Sequence, residues 1–215
     1  MPGIGQTVTM AVDTKQSIGR SVFNLPNQLT VARLIVSVVL FCLIALDHYL
    51  YAMLAFILAA STDWLDGYFA RKYGLVTVLG RILDPFADKV IICGTFIFLV
   101  AEPQLTDMPW GLRPWMVVVV VGRELLVTAL RSFLERQGSD FSASMSGKLK
   151  MVLQCIAAAV CLFYLYQVNP SDGANVAVAS PGLAAAVAAS VWASVLLTIW
   201  SGVGYIFAAV RMVKT

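Results

Sequence analysis

The chain has 215 residues, 60% of them hydrophobic and 13% charged, with a formal net charge of +3. A soluble domain carries roughly 25% charged residues, so this composition excludes an ordinary water-soluble fold. The apolar stretches follow one another without a soluble block between them, which points to a single membrane domain with no nucleic-acid partner.

A helix needs about 20 apolar residues to cross the hydrocarbon core. Six such stretches can be drawn, over residues 28–47, 49–70, 80–101, 114–134, 147–168 and 182–211. The expected fold is therefore all-α, a polytopic integral membrane protein of six transmembrane helices. Residues 1–20 are mixed and polar, with no apolar run before a small-residue cleavage site. They read as part of a cytoplasmic tail over 1–23, with an interfacial segment near Ser17–Phe23, ahead of a membrane domain over 24–215. No Arg-rich transit segment precedes the first span, which favours a bacterial inner membrane.

The first span opens on Asn24, Leu25, Pro26, Asn27, Gln28, Leu29, Thr30, Val31, Ala32 and Arg33, where Asn27 can cap the helix. The second span ends and the third begins in residues 61–90, which hold Asp63, Asp66, Asp84 and Asp88. Pro85 is expected in the first turn of the third span, where a missing N–H costs least. The fourth span carries Gly122, Arg123, Glu124, Leu125 and Arg131. The fifth opens on Ser146, Gly147, Lys148, Leu149 and Lys150. Residues 168–181 are rich in turn formers and read as an exposed loop. The sixth stretch is longer than one crossing requires, so it tilts or leaves the bilayer. Cys42, Cys93, Cys155 and Cys161 lack metal-ligand spacing and read as small apolar side chains, and His48 reads as a solvated loop-edge residue.

With the N-terminus in the cytoplasm, every Lys and Arg except Arg113 falls on the inner side. The positive-inside rule then places both termini in the cytoplasm. It also brings all four aspartates to the cytoplasmic surface, beside the loop over residues 72–79.

An ionised carboxylate at membrane depth is costly and is by default a functional group. Asp63 and Asp66 are three apart, Asp84 and Asp88 four apart, so each pair shares a helix face. Four like charges need compensation. All-oxygen ligands favour one or two ions of Mg²⁺ or Mn²⁺, with Ca²⁺ as a further candidate, over Zn²⁺. Gly67 lets a ligand approach the backbone, Ala70 keeps the next turn small, and Gly80 opens the entrance to the third span. Arg71 supplies a planar fork suited to phosphate oxygens.

The spaced set Asp63, Asp66, Gly67, Ala70, Arg71, Gly80, Asp84 and Asp88 resembles the signature of the CDP-alcohol phosphotransferases, matching at all eight fixed positions. The resemblance implies a six-helix membrane enzyme that displaces CMP from a CDP-linked lipid with an alcohol. It implies that Asp63, Asp66, Asp84 and Asp88 bind divalent metal, and that Asp88 accepts the proton of the attacking hydroxyl. It further implies that Gly67, Arg71 and Thr77 contact the CDP group, with the stretch from Asn27 to Thr30 bordering the nucleotide. A homodimer is implied by the resemblance alone.

The acceptor is read from the fourth and fifth spans. A buried arginine in a membrane helix needs an anionic partner. Glu124 faces about 100° away from Arg123 along the helix and is expected to be a poor one. Arg131 lies on nearly the same face as Arg123, and Lys148 and Lys150 open the fifth span at the same surface. Together they could bind the phosphate of a phosphorylated acceptor. The Asn24–Arg33 segment, which cardiolipin synthases of the same fold share, and the Arg123–Glu124 and Gly147–Lys150 segments resemble the phosphatidylglycerophosphate synthases of the family, although Met151 stands where threonine is expected. That resemblance implies CDP-diacylglycerol as donor and sn-glycerol 3-phosphate as acceptor. The alternatives are a cardiolipin synthase of the same fold, an inositol-phosphate or serine acceptor, and, in a different class, a cation transporter.

Overall fold

The computed structural model describes residues 25–73, 78–136, 145–169 and 180–213; side chains are described outside 25–27, 63–73, 78–82, 133–136, 145–146, 148 and 208–213. The described residues are helical or turn, with no strand among them. Six long helices run over Leu25–Ala45 (α1), Tyr49–Tyr73 (α2), Val78–Leu99 (α3), Pro114–Arg136 (α5), Met145–Val168 (α6) and Pro181–Val213 (α7). A short helix, α4 (Pro103–Thr106), lies between α3 and α5 and was not foreseen from sequence; Pro103 starts it, and Leu105 is buried.

Each long helix buries a narrow stripe. On α1 the stripe is Thr30, Arg33, Ser37, Leu40 and Ile44; on α2 it is Tyr49, Ala52, Phe56 and Ala59. The alternation of three and four residues is the spacing of one helix face. The rest of each surface stays apolar and exposed, as at Val38, Val118, Trp200 and Phe207. Such helices are apolar nearly all round, as a membrane-embedded bundle requires.

Gln28–Ala45, Leu149–Val168 and Pro181–Phe207 are long and apolar enough to cross a membrane by length and composition. The other three long helices carry the charged residues that lower their hydropathy. At 1.5 Å per residue, the 33 residues of α7 extend about 50 Å, beyond the ~30 Å hydrocarbon core.

Helix α1 packs against both α2 and α3, whereas α2 and α3 touch each other only lightly among the described residues. The two helices of the aspartate motif are thus bridged by α1. Helices α6 and α7 pack together, α5 packs on α7, and α3 also meets α5 and α6. Between the α4–α5 connection and α7 the Trp192 Nε1 donates to the Trp110 carbonyl at 3.0 Å, and Trp115 stands edge-on to Trp192.

Pro85 lies well inside α3 rather than in its first turn. The helix starts upstream of the motif, so the proline ring removes a backbone donor one turn away. The Lys89 Nζ donates to the Pro85 carbonyl at 2.8 Å.

Candidate active site

Asp84 and Asp88 stand one turn apart on α3, and both are engaged by α1. The Thr30 hydroxyl donates to Asp84 Oδ1. The Arg33 Nη1 donates to Asp88 Oδ1 at 2.8 Å, and forms an ion pair with it. Thr30 and Arg33 are themselves one turn apart, so two contacts form successive rungs between the helices. Arg33 is 2% exposed, while the side chain of Asp88 keeps 29% of its surface open to ligands. Ser37, one turn further, donates to the Arg33 carbonyl and leaves the guanidinium to α3.

Sequence reasoning counted Arg33 only as an inner-side charge. The signal that finds it is the stripe: Thr30, Arg33 and Ser37 are polar positions at helix-face spacing within an apolar span. The rule that a buried membrane arginine seeks an acid applies to Arg33 as much as to Arg123. Thr30, expected to border the nucleotide, contacts Asp84.

Continued along α2 with the same alternation, the stripe Tyr49, Ala52, Phe56, Ala59 reaches positions 63, 66 and 70. The side chains of Asp63, Asp66, Gly67, Ala70, Arg71, Gly80, Asn27 and Lys148 lie outside the described residues, as does Thr77 altogether. Among the described residues no group of three or more His, Cys, Asp or Glu could hold a metal. The two described aspartates nevertheless suit a hard divalent cation: both are oxygen donors, spaced one turn apart, with part of Asp88 accessible.

A second polar cluster joins α5, α6 and α7. Arg123 Nη2 donates to Ser201 Oγ at 2.5 Å, and Nη1 reaches Glu124 Oε1 at 3.3 Å. The guanidinium carbon sits 5.3 Å from the centre of the Tyr205 ring, within cation–π range. Gly202 makes this approach possible, because a Cβ there would come within 3.1 Å of Arg123 Cγ. Arg123 Nε is buried and has no hydrogen-bond partner among the described residues.

One expectation is corrected here. Glu124 is a partner of Arg123, because side-chain length closes the angular gap that Cβ directions leave. Lys150 is buried and donates to the same Glu124 oxygen. Arg123 and Lys150 thus share one acid. Arg131, two turns beyond Arg123, is exposed near the end of α5. Neither Ser201 nor Tyr205 was singled out from sequence, because α7 reads as a uniformly apolar span. Buried Ser194, Thr198 and Ser201 recur on one face of it, and that spacing was the available signal.

Residues 23–200 match the family model of the CDP-alcohol phosphatidyltransferases. A CDP-diacylglycerol–glycerol-3-phosphate 3-phosphatidyltransferase of Bacillus subtilis is 38% identical over 159 residues, covering 66% of this chain and 78% of that protein. The Rickettsia typhi protein of the same name is 37% identical over 142 residues, covering 65% of this chain and 76% of that protein. A probable phosphatidylglycerophosphate synthase of Mycobacterium tuberculosis is 37% identical over 213 residues, covering 95% of this chain and 90% of its own length.

Proposed function

Because this chain belongs to the CDP-alcohol phosphatidyltransferase family, we propose that it transfers the phosphatidyl group of CDP-diacylglycerol to sn-glycerol 3-phosphate, releasing CMP. The product is phosphatidylglycerol phosphate, an intermediate of phospholipid synthesis. The observation that carries the acceptor choice is the likeness to a relative named for glycerol 3-phosphate over 66% of this chain, and to a probable phosphatidylglycerophosphate synthase over 95% of it. The buried Arg123, whose Nε has no hydrogen-bond partner among the described residues, supports it as an anion-binding group.

In this reading Asp63, Asp66, Asp84 and Asp88 hold one or two Mg²⁺ or Mn²⁺ ions. The bound cation would neutralise the pyrophosphate and the charge that builds on departing CMP. Asn27, Gly67, Ala70, Arg71, Thr77 and Gly80 form the wall for the CDP group. Thr30 acts there through Asp84, which it touches. The 1-hydroxyl of glycerol 3-phosphate attacks the β-phosphorus and gives its proton to Asp88, which must lie within hydrogen-bond reach of it. Arg123 draws in the acceptor phosphate, with Arg131 and Lys148 at the entrance.

The membrane arrangement follows. All six long helices cross the bilayer, with both termini and the aspartates on the cytoplasmic side of a bacterial inner membrane. The charge asymmetry supports this orientation. Acyl chains stay in lipid against the exposed apolar faces, and the enzyme works as a homodimer.

One observation favours a second acceptor. Lys150 is tied to Glu124, which leaves less positive charge for a phosphomonoester dianion and suits the singly charged phosphodiester of phosphatidylglycerol, as in a cardiolipin synthase. A single assay separates the two. The purified chain is supplied with CDP-diacylglycerol, Mg²⁺ and each acceptor in turn, and CMP release is measured. Release with glycerol 3-phosphate is expected; release with phosphatidylglycerol alone would replace the first reading by the second.

A further inference from the structure

Arg33 is a charged group in the third turn of an apolar helix, 2% exposed, with its guanidinium on Asp88. Joining two helices does not by itself require an ion pair. The Thr30 contact to Asp84, one turn away, does the same with a neutral hydroxyl. Burying a guanidinium costs desolvation, and it is tolerated where strong negative charge answers it. In the proposed reading Asp88 acts with Asp63, Asp66 and Asp84 as one metal-binding set. Helix α1 packs on both of those helices.

We propose that Arg33 is the resident counter-cation of the aspartate site and a positioning residue for Asp88. When no metal is present it offsets the repulsion among the carboxylates and fixes Asp88 Oδ1. When a divalent cation binds, Arg33 opposes it, as a like charge nearby and as a competitor for the same carboxylate. Metal affinity is thereby held down, and Asp88 stays anchored to α1 instead of closing fully around the ion. Helix α1 thus takes part in metal binding without supplying a ligand.

The proposal rests on the phosphatidyl-transfer reading, and its test does not. Mn²⁺ binding to the full-length chain in detergent is followed by the electron paramagnetic resonance signal of free Mn²⁺. Arg33→Met should bind Mn²⁺ about tenfold more tightly than the wild type, the order expected when one opposing charge is removed from a partly screened site. Its CMP release should fall about a hundredfold, as displaced catalytic groups do. Arg33→Lys keeps the charge, so its Mn²⁺ affinity should stay within about threefold of the wild type. Arg33→Met should also melt lower without metal and gain more than the wild type from added Mn²⁺; folding only with metal counts the same way. Unchanged or weaker Mn²⁺ binding in Arg33→Met would overturn the proposal. So would an Arg33→Lys protein whose Mn²⁺ binding equals that of Arg33→Met. Wild-type CMP release tests the enzymatic reading alone, and the ratio of Mn²⁺ affinities tests Arg33 alone.

Discussion

Glu124 accepts from two cations at once, Arg123 on its own helix and Lys150 on α6. The side chains of Lys150 and Glu124 are only 7% and 11% exposed, so neither charge has water to fall back on. Removing one partner of such a pair leaves a buried, unanswered charge. Glu124→Ala should therefore lower unfolding stability by about 3–5 kcal/mol. Adding Lys150→Met should restore most of that loss, because it removes the stranded ammonium. Denaturant unfolding in detergent checks both variants. A Lys150 whose main task were phosphate capture would give losses that simply add. Glu124 was misjudged from sequence because Cβ direction governs short side chains, whereas arginine and glutamate are long enough to meet across it.

At the scale of elements, the α1–α3 contact decides whether the rungs Thr30–Asp84 and Arg33–Asp88 can form. Towards the other end of α3, Gly94 faces Phe41 of α1, whose ring stacks on Phe98 at 5.1 Å between centroids. A Cβ on Gly94 would fall 2.2 Å from the Phe41 ring, far inside contact distance. Gly94→Ala should cost about 1–3 kcal/mol through overpacking. By drawing α1, and Arg33 with it, away from Asp88 it should also tighten Mn²⁺ binding while lowering CMP release, although it lies more than a turn from Asp88. Thermal unfolding together with the Mn²⁺ titration tests this; Gly94→Ala with wild-type values would mean that the ring yields freely. The aspartate spacing and the span boundaries were legible in the sequence, since both are periodic. The partner of each stripe was not, because periodicity names the buried face of a helix and leaves open which neighbour covers it.

For the whole molecule, the connections between helices carry their own polar contacts: the Tyr49 hydroxyl ties the α1–α2 turn to the start of α4, lying 2.8 Å from both Asp47 Oδ1 and Glu102 Oε2. One hydroxyl has one hydrogen to give, so one of the two oxygens is best matched by a protonated carboxyl. Burial pushes the Glu102 carboxyl above the usual range; the Tyr49 bond pulls it down, and the nearby Asp47 charge pushes it up again. Because the folded state favours the protonated form, its contribution to stability is full below the unfolded glutamate value of about 4.3. It is lost as pH rises through the higher folded value. Melting temperature should therefore fall across that window in the wild type and stay flatter in Glu102→Gln. Equal slopes in the two proteins would place the proton elsewhere.

The sequence by itself determined the class of the molecule and the family its motif belongs to. Hydropathy and helical period are local properties, and an eight-position spacing of acids, glycines and an arginine is read directly along the chain. Tertiary structure decided how the charges are answered. It set Lys150 on Glu124, made Ser201 and Tyr205 neighbours of Arg123, and set Arg33 on Asp88. Electrostatic partnership depends on distances between helices, and residues more than 50 positions apart meet only when those helices pack.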